Sequence, residues 1–239
     1  MDQFNSNPRR QQEIITRPIW VFLLKQCYPS IIDVSFDISK ELDKERGIDL
    51  SCQFDNGMVI YGQTKTLSYN QSRFASVTVE YMNNPRVNEE GDWFSLGCQI
   101  YCCGYCSKAL DKLVNDVRSK LKLYQCFDID SIAEISQQCG IDNLIEQEEA
   151  LINWVILDWY KVIEATQKGL LNWHHNKNKR SGLADFKYVF IRDLLTNCII
   201  ATDYFYKSDK FRAGESSKTK RTSILIKHTT DEVVQQNLF

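Results

Sequence analysis

The sequence predicts a single α/β domain in which helices flank a central mixed β-sheet, and three observations support that prediction. Between residues 47 and 65, two runs of alternating apolar residues are separated by a turn, as in a β-hairpin. Apolar residues recur at helical spacing over residues 9–27 and again over residues 107–124. Short apolar stretches at residues 74–81 and 93–103 are expected to be further strands. Helices and strands that follow one another in this way are typical of α/β proteins.

The remaining elements follow from the same patterns in chain order. In the first helix, Pro18 predicts either a kink or a later start. Residues 142–171 carry apolar side chains at helical spacing and predict one long helix. The other expected elements are a strand over 31–38, a charged turn over 39–46, a polar connection over 66–73, a loop over 82–91, a helix over 128–138 stopped by Gly140, a strand over 186–191 and a helical or irregular piece ending at Tyr206.

The register of the hairpin can be predicted from its apolar residues. A three-residue loop over residues 55–57 pairs Cys52 with Ile60 and keeps the apolar side chains on one face. The same register sets Asp49 opposite Gln63. Lys65 shares their face, because residues two apart in a strand point the same way. The hairpin is therefore expected to carry an acid, an amide and a lysine together on the face away from its apolar residues.

These three side chains have a chemical use when they lie together. The carboxylate of Asp49 can hold Mg²⁺, which prefers oxygen ligands, and Gln63 can add its amide oxygen. The backbone carbonyl of Thr64 lies beside them. Lys65 can steady an attacking water or a phosphate as a point charge. A hairpin with an ordinary polar outer face is the alternative interpretation of the same residues.

Asp49 followed by Gln63-Thr64-Lys65 resembles the PD-(D/E)xK signature of restriction-endonuclease-like nucleases, in the variant with Gln for the usual acid. The run from residue 43 to 49, DKERGID, is similar to the D-x-x-x-G-I-D run of many phage and bacterial members. Residues 76–81, 92–101 and 186–191 are similar to strands that follow the lysine strand in that fold, with Cys-Gln at residues 98–99 where Ala-Asp is common.

The resemblance implies a restriction-endonuclease-like sheet and a metal-dependent endonuclease that hydrolyses DNA phosphodiester bonds with Mg²⁺ or Mn²⁺. It implies Asp49, Gln63 and Lys65 as catalytic residues, and Asp49, Gln63 and the Thr64 carbonyl as metal ligands. Related nucleases often place an extra acid on the first helix, for which Glu13 is the candidate. Because Gln63 is neutral, Mg²⁺ binding should be weaker than with an acid. The alternative is a degenerate nuclease fold that binds nucleic acid, or acts as an assembly or inhibitor module, without catalysis.

The resemblance also implies how the domain is organised. Residues 1–207 would form the nuclease-like domain, with a helical insertion at about residues 128–180. The long helix of that insertion could pack in the core, clamp DNA or form a homodimer. Residues 208–239 are polar and charged and predict a flexible tail, in which residues 223–227 could add an edge strand.

Composition sets limits on partners and location. The net charge of −2 gives no overall attraction to nucleic acid, so DNA binding must depend on local basic groups. The candidates for phosphate contacts are Arg73, Lys177, Lys179 and Arg180. The sequence contains no apolar run long enough to predict a membrane span. Nine cysteines without regular disulfide spacing indicate a reducing compartment, so a cytoplasmic protein is expected.

Four cysteines lie close together, at residues 98, 102, 103 and 106, and raise the question of a zinc site. All four fall on one predicted strand and its end, where alternate residues point in opposite directions. One strand can hardly wrap four thiolates around one ion, so small buried apolar residues are the favoured interpretation.

Overall fold

The computed structural model describes residues 6–39, 42–43, 46–85, 89–177, 184–207 and 219–225, and it has α/β architecture. Its strands are β1 (Ile31–Ser35), β2 (Leu50–Phe54), β3 (Val59–Leu67), β4 (Ser76–Asn84), β5 (Glu89–Glu90), β6 (Ile100–Cys106), β7 (Leu151–Asp158), β8 (His174–Asn176), β9 (Asp185–Phe190), β10 (Ile199–Lys207) and β11 (Thr219–Leu225). Its helices are α1 (Pro8–Cys27), α2 (Asp92–Ser95), α3 (Lys108–Tyr124), α4 (Ile129–Gln138), α5 (Ile141–Glu146) and α6 (Trp159–Gln167). Within the described ranges, no helix is both long enough and apolar enough to cross a membrane.

The strands form two sheets. The large sheet is mixed and seven-stranded, with the order β1-β2-β3-β6-β7-β10-β11. Its β3 and β6 run parallel, and its other neighbouring strands run antiparallel. The small sheet is antiparallel, with the order β5-β4-β9-β8. This architecture agrees with the predicted mixed sheet flanked by helices.

Each face of the large sheet has its own apolar core. On one face, residues of α1, α3, α4 and α5 pack against alternate residues of the sheet, including Cys52, Ile60 and Cys102. On the other face, α6 and the small sheet cover Tyr101 and Cys103. Burial on both faces makes β6 apolar at every position, as expected of a central strand.

Capping residues set the ends of the helices that support the sheet. Asn7 caps α1 by accepting a hydrogen bond from the Arg9 amide, and Ser107 caps α3 by accepting one from the Leu110 amide. Helix α1 runs without interruption through Pro18, so the expected start near residue 9 is confirmed. The helix predicted for residues 128–138 is also confirmed, with Gly140 directly after it in a left-handed conformation.

The predicted hairpin register is confirmed where β2 and β3 pair. Cys52 lies opposite Ile60, and the Phe54 amide donates to the Met58 carbonyl at 2.9 Å around the turn. Asp49 precedes the first residue of β2, and its amide donates to the Gly62 carbonyl at 2.9 Å. Asp49 is therefore held against β3 although it lies just outside the paired strand.

The long helix predicted for residues 142–171 is wrong. Helix α5 ends at Glu146, β7 follows in the middle of the large sheet, and α6 begins only at Trp159. Residues 155–158 of β7 are all buried, because the strand is covered on both faces. A continuous apolar run of this kind cannot be told from a buried helix by its spacing. Within the span of about residues 128–180, α4, α5 and α6 are helical as expected, but strands β7 and β8 also lie there, so the span is not a purely helical insertion.

Several shorter predictions also need correction. The strand predicted over 93–103 begins only at Ile100 and is preceded by the helical turn α2. The helical or irregular piece ending at Tyr206 begins as predicted, with 3-10 turns over Ile191–Asp193 and Thr196–Cys198, but from Ile199 it is strand β10. The polar connection over 66–73 is the end of β3 and a 3-10 turn over Tyr69–Phe74, and the loop over 82–91 holds the end of β4 and β5. In the predicted flexible tail, residues 219–225 form an edge strand, and the other residues lie outside the described ranges.

Gly104 is expected to be required for the packing of the central strand. A Cβ atom there would lie 2.8 Å from the Trp154 Cβ and 3.1 Å from the Trp20 ring. Gly104→Ala should therefore destabilise the fold by about 1–3 kcal/mol and lower the Tm by several degrees. Gly97→Ala is the matched control, because its Cβ would meet only the side chain of Arg46, at 3.4 Å. Equal melting temperatures for the two variants would contradict this account.

Candidate functional site

The residues singled out in the hairpin line a cleft of about 550 Å³ between the start of α1, β3 and β4. Asp49, Gln63, Thr64 and Lys65 all face this cleft, and so does Glu13. Three of its lining residues are basic, namely Arg9, Arg10 and Lys65. Five are acidic, namely Glu13, Asp43, Asp49, Glu80 and Asp92. The surplus of carboxylates is a reason to expect a cation in the cleft.

Asp49 is fixed by the strand beside it. Its Oδ2 accepts a hydrogen bond from the Thr64 amide at 2.9 Å, and the Thr64 hydroxyl lies 3.4 Å from the same oxygen. Burial raises the pKa of Asp49 to about 7, and the nearby carboxylates of Glu13 and Asp43 act in the same direction. The Thr64 amide and Arg10 lower the Asp49 pKa by a smaller amount. Because the Thr64 amide and Arg10 offset only part of the cost of burying its negative charge, the Asp49 carboxylate is well suited to hold a cation.

Gln63 is buried, with 9% of its surface exposed. Its Nε2 donates to Asp92 Oδ2 at 3.2 Å, which fixes the orientation of the amide. The Oε1 atom is buried and has no hydrogen-bond partner among the described residues. A buried carbonyl oxygen without a partner costs about 1–3 kcal/mol, so a ligand that approaches it regains that energy.

Lys65 is also buried, with 8% of its surface exposed, and its Nζ lies 3.4 Å from Glu80 Oε1. Arg9 Nη2 reaches the same carboxylate oxygen at 2.8 Å. Burial alone would raise the Glu80 pKa, but Lys65 and Arg9 outweigh it and hold the pKa below its ordinary value. The alternative interpretation, an ordinary polar outer face, does not fit Gln63 and Lys65, because both are buried, Gln63 against Asp92 and Lys65 against Glu80.

Glu80 and Asp92 are the site residues that sequence reasoning missed. Glu80 continues the polar positions Ser76 and Thr78 of the alternating strand β4, so no break in the pattern marks it. Asp92 follows Gly91, at which a Cβ atom would lie only 2.5 Å from the Glu80 carbonyl oxygen. Only glycine permits that approach, which brings Asp92 against β4. Burial raises the Asp92 pKa, and Glu80 raises it further.

Hydrogen bonds to Thr66 hold the first helix over the cleft. The Trp20 indole donates to the Thr66 hydroxyl at 2.9 Å, and Gln12 Nε2 donates to the Thr66 carbonyl at 3.0 Å. Glu13 lies one residue further along α1 and pairs with Arg10 at 3.3 Å and Arg9 at 3.5 Å. Glu13 thus faces the cleft as predicted, but its carboxylate is already occupied by two arginines.

The predicted ligands for a divalent cation are oxygen atoms of three kinds: a carboxylate, a side-chain amide and a backbone carbonyl. In the described part of the chain, no group of three or more His, Cys, Asp or Glu converges on a point where it could hold a metal ion. The predicted ligand set contains one acid, one amide and one carbonyl, and so does not need such a group. The largely buried Asp49 carboxylate and the Gln63 oxygen, which has no hydrogen-bond partner among the described residues, fit a hard cation, so the residues present suit Mg²⁺ or Mn²⁺.

Of the four residues predicted to contact phosphates, the two that the structure describes, Arg73 and Lys177, do not line the cleft. The guanidinium of Arg73 lies 4.9 Å from the Phe74 ring centroid, outside the cleft lining. Lys177 is exposed and follows the last residue of β8. Lys179 and Arg180 lie outside the described residues.

The cysteine group is buried rather than arranged for a metal. Cys98, Cys102, Cys103 and Cys106 are all buried, and Cys102 and Cys103 belong to different cores. Burial raises the pKa of the Cys106 thiol to about 12 and that of Cys103 to about 11, which disfavours the thiolates that zinc requires. The favoured interpretation as small buried side chains agrees with this placement.

Comparison of the chain with protein-family models, with curated proteins and with solved structures finds no match. The function is therefore inferred from the geometry and charge of the cleft.

Proposed function

We propose that this protein is a metal-dependent endonuclease that hydrolyses phosphodiester bonds of DNA. The observation that carries the proposal is the buried Gln63 oxygen, which lacks a partner among the described residues and lies in one cleft with Asp49 and Lys65. An acid and an amide oxygen can hold a metal ion, and a lysine can act on water or phosphate, so these groups can support metal-assisted phosphodiester hydrolysis. The resemblance to the PD-(D/E)xK signature, with its restriction-endonuclease-like sheet, supports the same proposal.

Asp49, Gln63 and the Thr64 carbonyl would hold the metal ion. A bound Mg²⁺ supplies a Lewis acid that stabilises the charge developing on the phosphate. Asp49 contributes the only negative charge of this set, and the hydrogen bonds from Thr64 fix its orientation. The amide of Gln63 is oriented by Asp92, which leaves its oxygen available to the cation.

Lys65 would position the attacking water and contact the phosphate. Its ammonium group lies 3.4 Å from Glu80, which restrains the lysine side chain inside the cleft. Arg9, with 63% of its side chain exposed, shares Glu80 and lies at the cleft where a phosphate could reach it. The chain therefore offers one buried and one exposed cation to an anionic substrate.

A cutting assay on two circular DNAs tests the proposal. Supercoiled plasmid and circular single-stranded DNA are incubated with the protein and Mg²⁺, Mn²⁺ or EDTA. Conversion of either circle to nicked or linear products with metal, and not with EDTA, is the expected result. Equal cutting in EDTA, or intact circles under every condition, would reject the proposed activity.

Gln63→Glu is expected to make the protein depend on metal for its stability. A carboxylate at residue 63 would face Asp92, which now accepts a hydrogen bond from Gln63 at 3.2 Å. In EDTA at pH 8 the two acids should repel each other and lower the free energy of unfolding by about 1–3 kcal/mol. Mg²⁺ should restore the Tm and should support cutting at a lower concentration than in the wild type.

Gln138→Glu is the matched control for this substitution. Gln138 Nε2 likewise donates to a carboxylate, Glu134 Oε1 at 3.2 Å, but the pair is exposed on α4. This variant should melt close to the wild type and should not respond to Mg²⁺. A Gln63→Glu protein that gains no more from Mg²⁺ than Gln138→Glu would exclude residue 63 from the metal site.

A second candidate function is nucleic-acid binding without cutting, and the ion pairs of the cleft favour it. The buried Lys65, which would act on the attacking water, is paired with Glu80 at 3.4 Å, whereas Arg9 is 63% exposed and can still reach a phosphate. Salt-sensitive DNA binding combined with intact circles in the cutting assay would select this function.

A further inference from the structure

A row of aromatic side chains leaves the cleft along β9. Phe186, Tyr188 and Phe190 alternate on that strand and therefore share one face. Phe186 lines the cleft, and the Lys65 Nζ lies 5.3 Å from the centroid of its ring. At the other end, the Arg192 guanidinium lies 5.2 Å from the Phe190 ring centroid. The row thus connects the candidate site to a second cation at the end of the small sheet.

A histidine from the edge strand completes the row. His174 on β8 is exposed and stacks on Tyr188, with ring centroids 5.0 Å apart and an interplanar angle of 26°. Phe190 packs edge-on against Tyr188 at 5.6 Å and against His174 at 5.7 Å. Phe186, Tyr188 and Phe190 are themselves only partly buried. His174, Tyr188 and Phe190 therefore form a cluster of contacting rings, with Phe186 on the same face of β9, and solvent, and hence a ligand, can reach all four.

The charges along the row match a polyanion with flat apolar groups. Lys65 and Arg192 lie over the first and last rings. Arg9 is largely exposed where the row enters the cleft, and the exposed Lys177 follows Asn176, which pairs with Phe186. Aromatic rings with interspersed cations are the combination that binds single-stranded nucleic acid, because bases stack on the rings and phosphates contact the cations.

We propose that this row binds single-stranded DNA and leads the strand into the cleft, which makes a single strand the substrate of the proposed nuclease. Residues two apart in a strand are about 6.6 Å apart along the backbone, and the Tyr188 and Phe190 ring centroids are 5.6 Å apart, whereas stacked bases rise about 3.4 Å along each strand of a duplex. Bases that stack on successive rings must therefore leave their own stack, which a single strand can do and an intact duplex cannot. The role of the row as a substrate track depends on the proposed function, but the binding itself does not.

A binding experiment without metal tests the row separately from cutting. The wild-type protein and its variants are titrated in EDTA at fixed salt into fluorescently labelled oligo(dT) of about 20 nucleotides and into a duplex of equal length. Tyr188→Ala should weaken binding to the single strand about 10- to 100-fold and binding to the duplex less than about 2-fold. Tyr188→Phe should retain wild-type affinity, because it keeps the ring.

Two further variants guard against loss of fold. His174→Ala removes an exposed ring and should weaken single-strand binding about 5-fold or more without changing the Tm. Tyr160→Ala, at a tyrosine with 47% exposure on α6, is the matched control and should bind as the wild type does. Unchanged single-strand binding in both folded Tyr188→Ala and His174→Ala, or wild-type binding that favours the duplex, would overturn the proposal.

The outcomes for the two proposals are distinguishable. If the protein binds oligo(dT) through the rings but never cuts DNA, the row is supported as a binding surface for single strands and the proposed nuclease activity is rejected. If Tyr188→Ala cuts the single-stranded circle with metal as fast as the wild type does, the nuclease activity is supported and the role of the row in leading the strand to the cleft is rejected.

Discussion

Asp49→Ala is expected to abolish metal-dependent cutting of DNA. Asp49 is the only charged member of the predicted ligand set, and the oxygens that remain would be neutral. Removal of groups that merely orient metal ligands costs about 10- to 100-fold, so loss of a charged ligand should exceed about 100-fold. The rate of conversion of circular DNA at saturating Mg²⁺ measures the effect, with a parallel thermal melt to show that the variant is folded.

Lys65→Ala separates catalysis from metal binding in the same assay. If Lys65 acts on water and phosphate, its removal should lower the cutting rate about 100-fold. Mg²⁺ should still raise the Tm of Lys65→Ala, but it should not raise that of Asp49→Ala. An Asp49→Ala protein that still cuts with Mg²⁺ would contradict the proposed mechanism. A Tm that responds to Mg²⁺ equally in both variants would place the metal elsewhere.

The hairpin was predictable because local rules determine it. The turn residues and the apolar alternation allow only one register that keeps Cys52 and Ile60 on the same face, and β2 and β3 pair in that register. The same register carries Asp49, Gln63 and Lys65 to one face of the hairpin without reference to any tertiary contact. The amphipathic helices α1 and α3 could also be predicted from the sequence, since each has one buried face.

The rest of the site depends on contacts between distant parts of the chain. Glu80 and Asp92 reach the cleft because β4 belongs to a separate small sheet whose position no local pattern records. The partners of Lys65 were therefore not predictable, and neither was its burial against Glu80 and Phe186 of the small sheet. Strand β7 was mistaken for a helix for a related reason, because a strand buried on both faces loses its alternation.

Asp49→Asn is expected to stabilise the metal-free protein, and the gain should depend on pH. Burial raises the folded-state pKa of Asp49 to about 7, compared with an ordinary value of 3.8. Below about pH 4 the carboxyl is protonated in both the folded and the unfolded state, so asparagine should offer no advantage. Between about pH 4 and 7 the unfolded chain releases this proton while the folded protein retains it, so wild-type stability falls as the pH rises.

Above about pH 7 Asp49 is ionised in both the folded and the unfolded state. The stability of the wild type then stops falling, and the difference in unfolding free energy between Asp49→Asn and the wild type should be constant. A difference of about 3 pKa units corresponds to at most about 4 kcal/mol, and because the cleft leaves Asp49 partly accessible to water, about 2–4 kcal/mol is expected. The amide oxygen of the variant side chain can still accept the hydrogen bonds from Thr64, so the comparison isolates the charge. The groups near Asp49 that also bear charge are Arg10, Arg17, Glu13 and Asp43.

Denaturant unfolding of both proteins at pH 4, 6 and 8 in EDTA measures this difference. Asp43→Asn is a useful control, because Asp43 is exposed and should change stability by less than about 0.5 kcal/mol at each pH. Addition of Mg²⁺ at pH 8 should then stabilise the wild type and leave Asp49→Asn unchanged, since only a carboxylate at residue 49 supplies the negative charge that the cation neutralises. An advantage of Asp49→Asn that is the same at pH 4 and pH 8 would show that the buried carboxylate is not the cause of the instability.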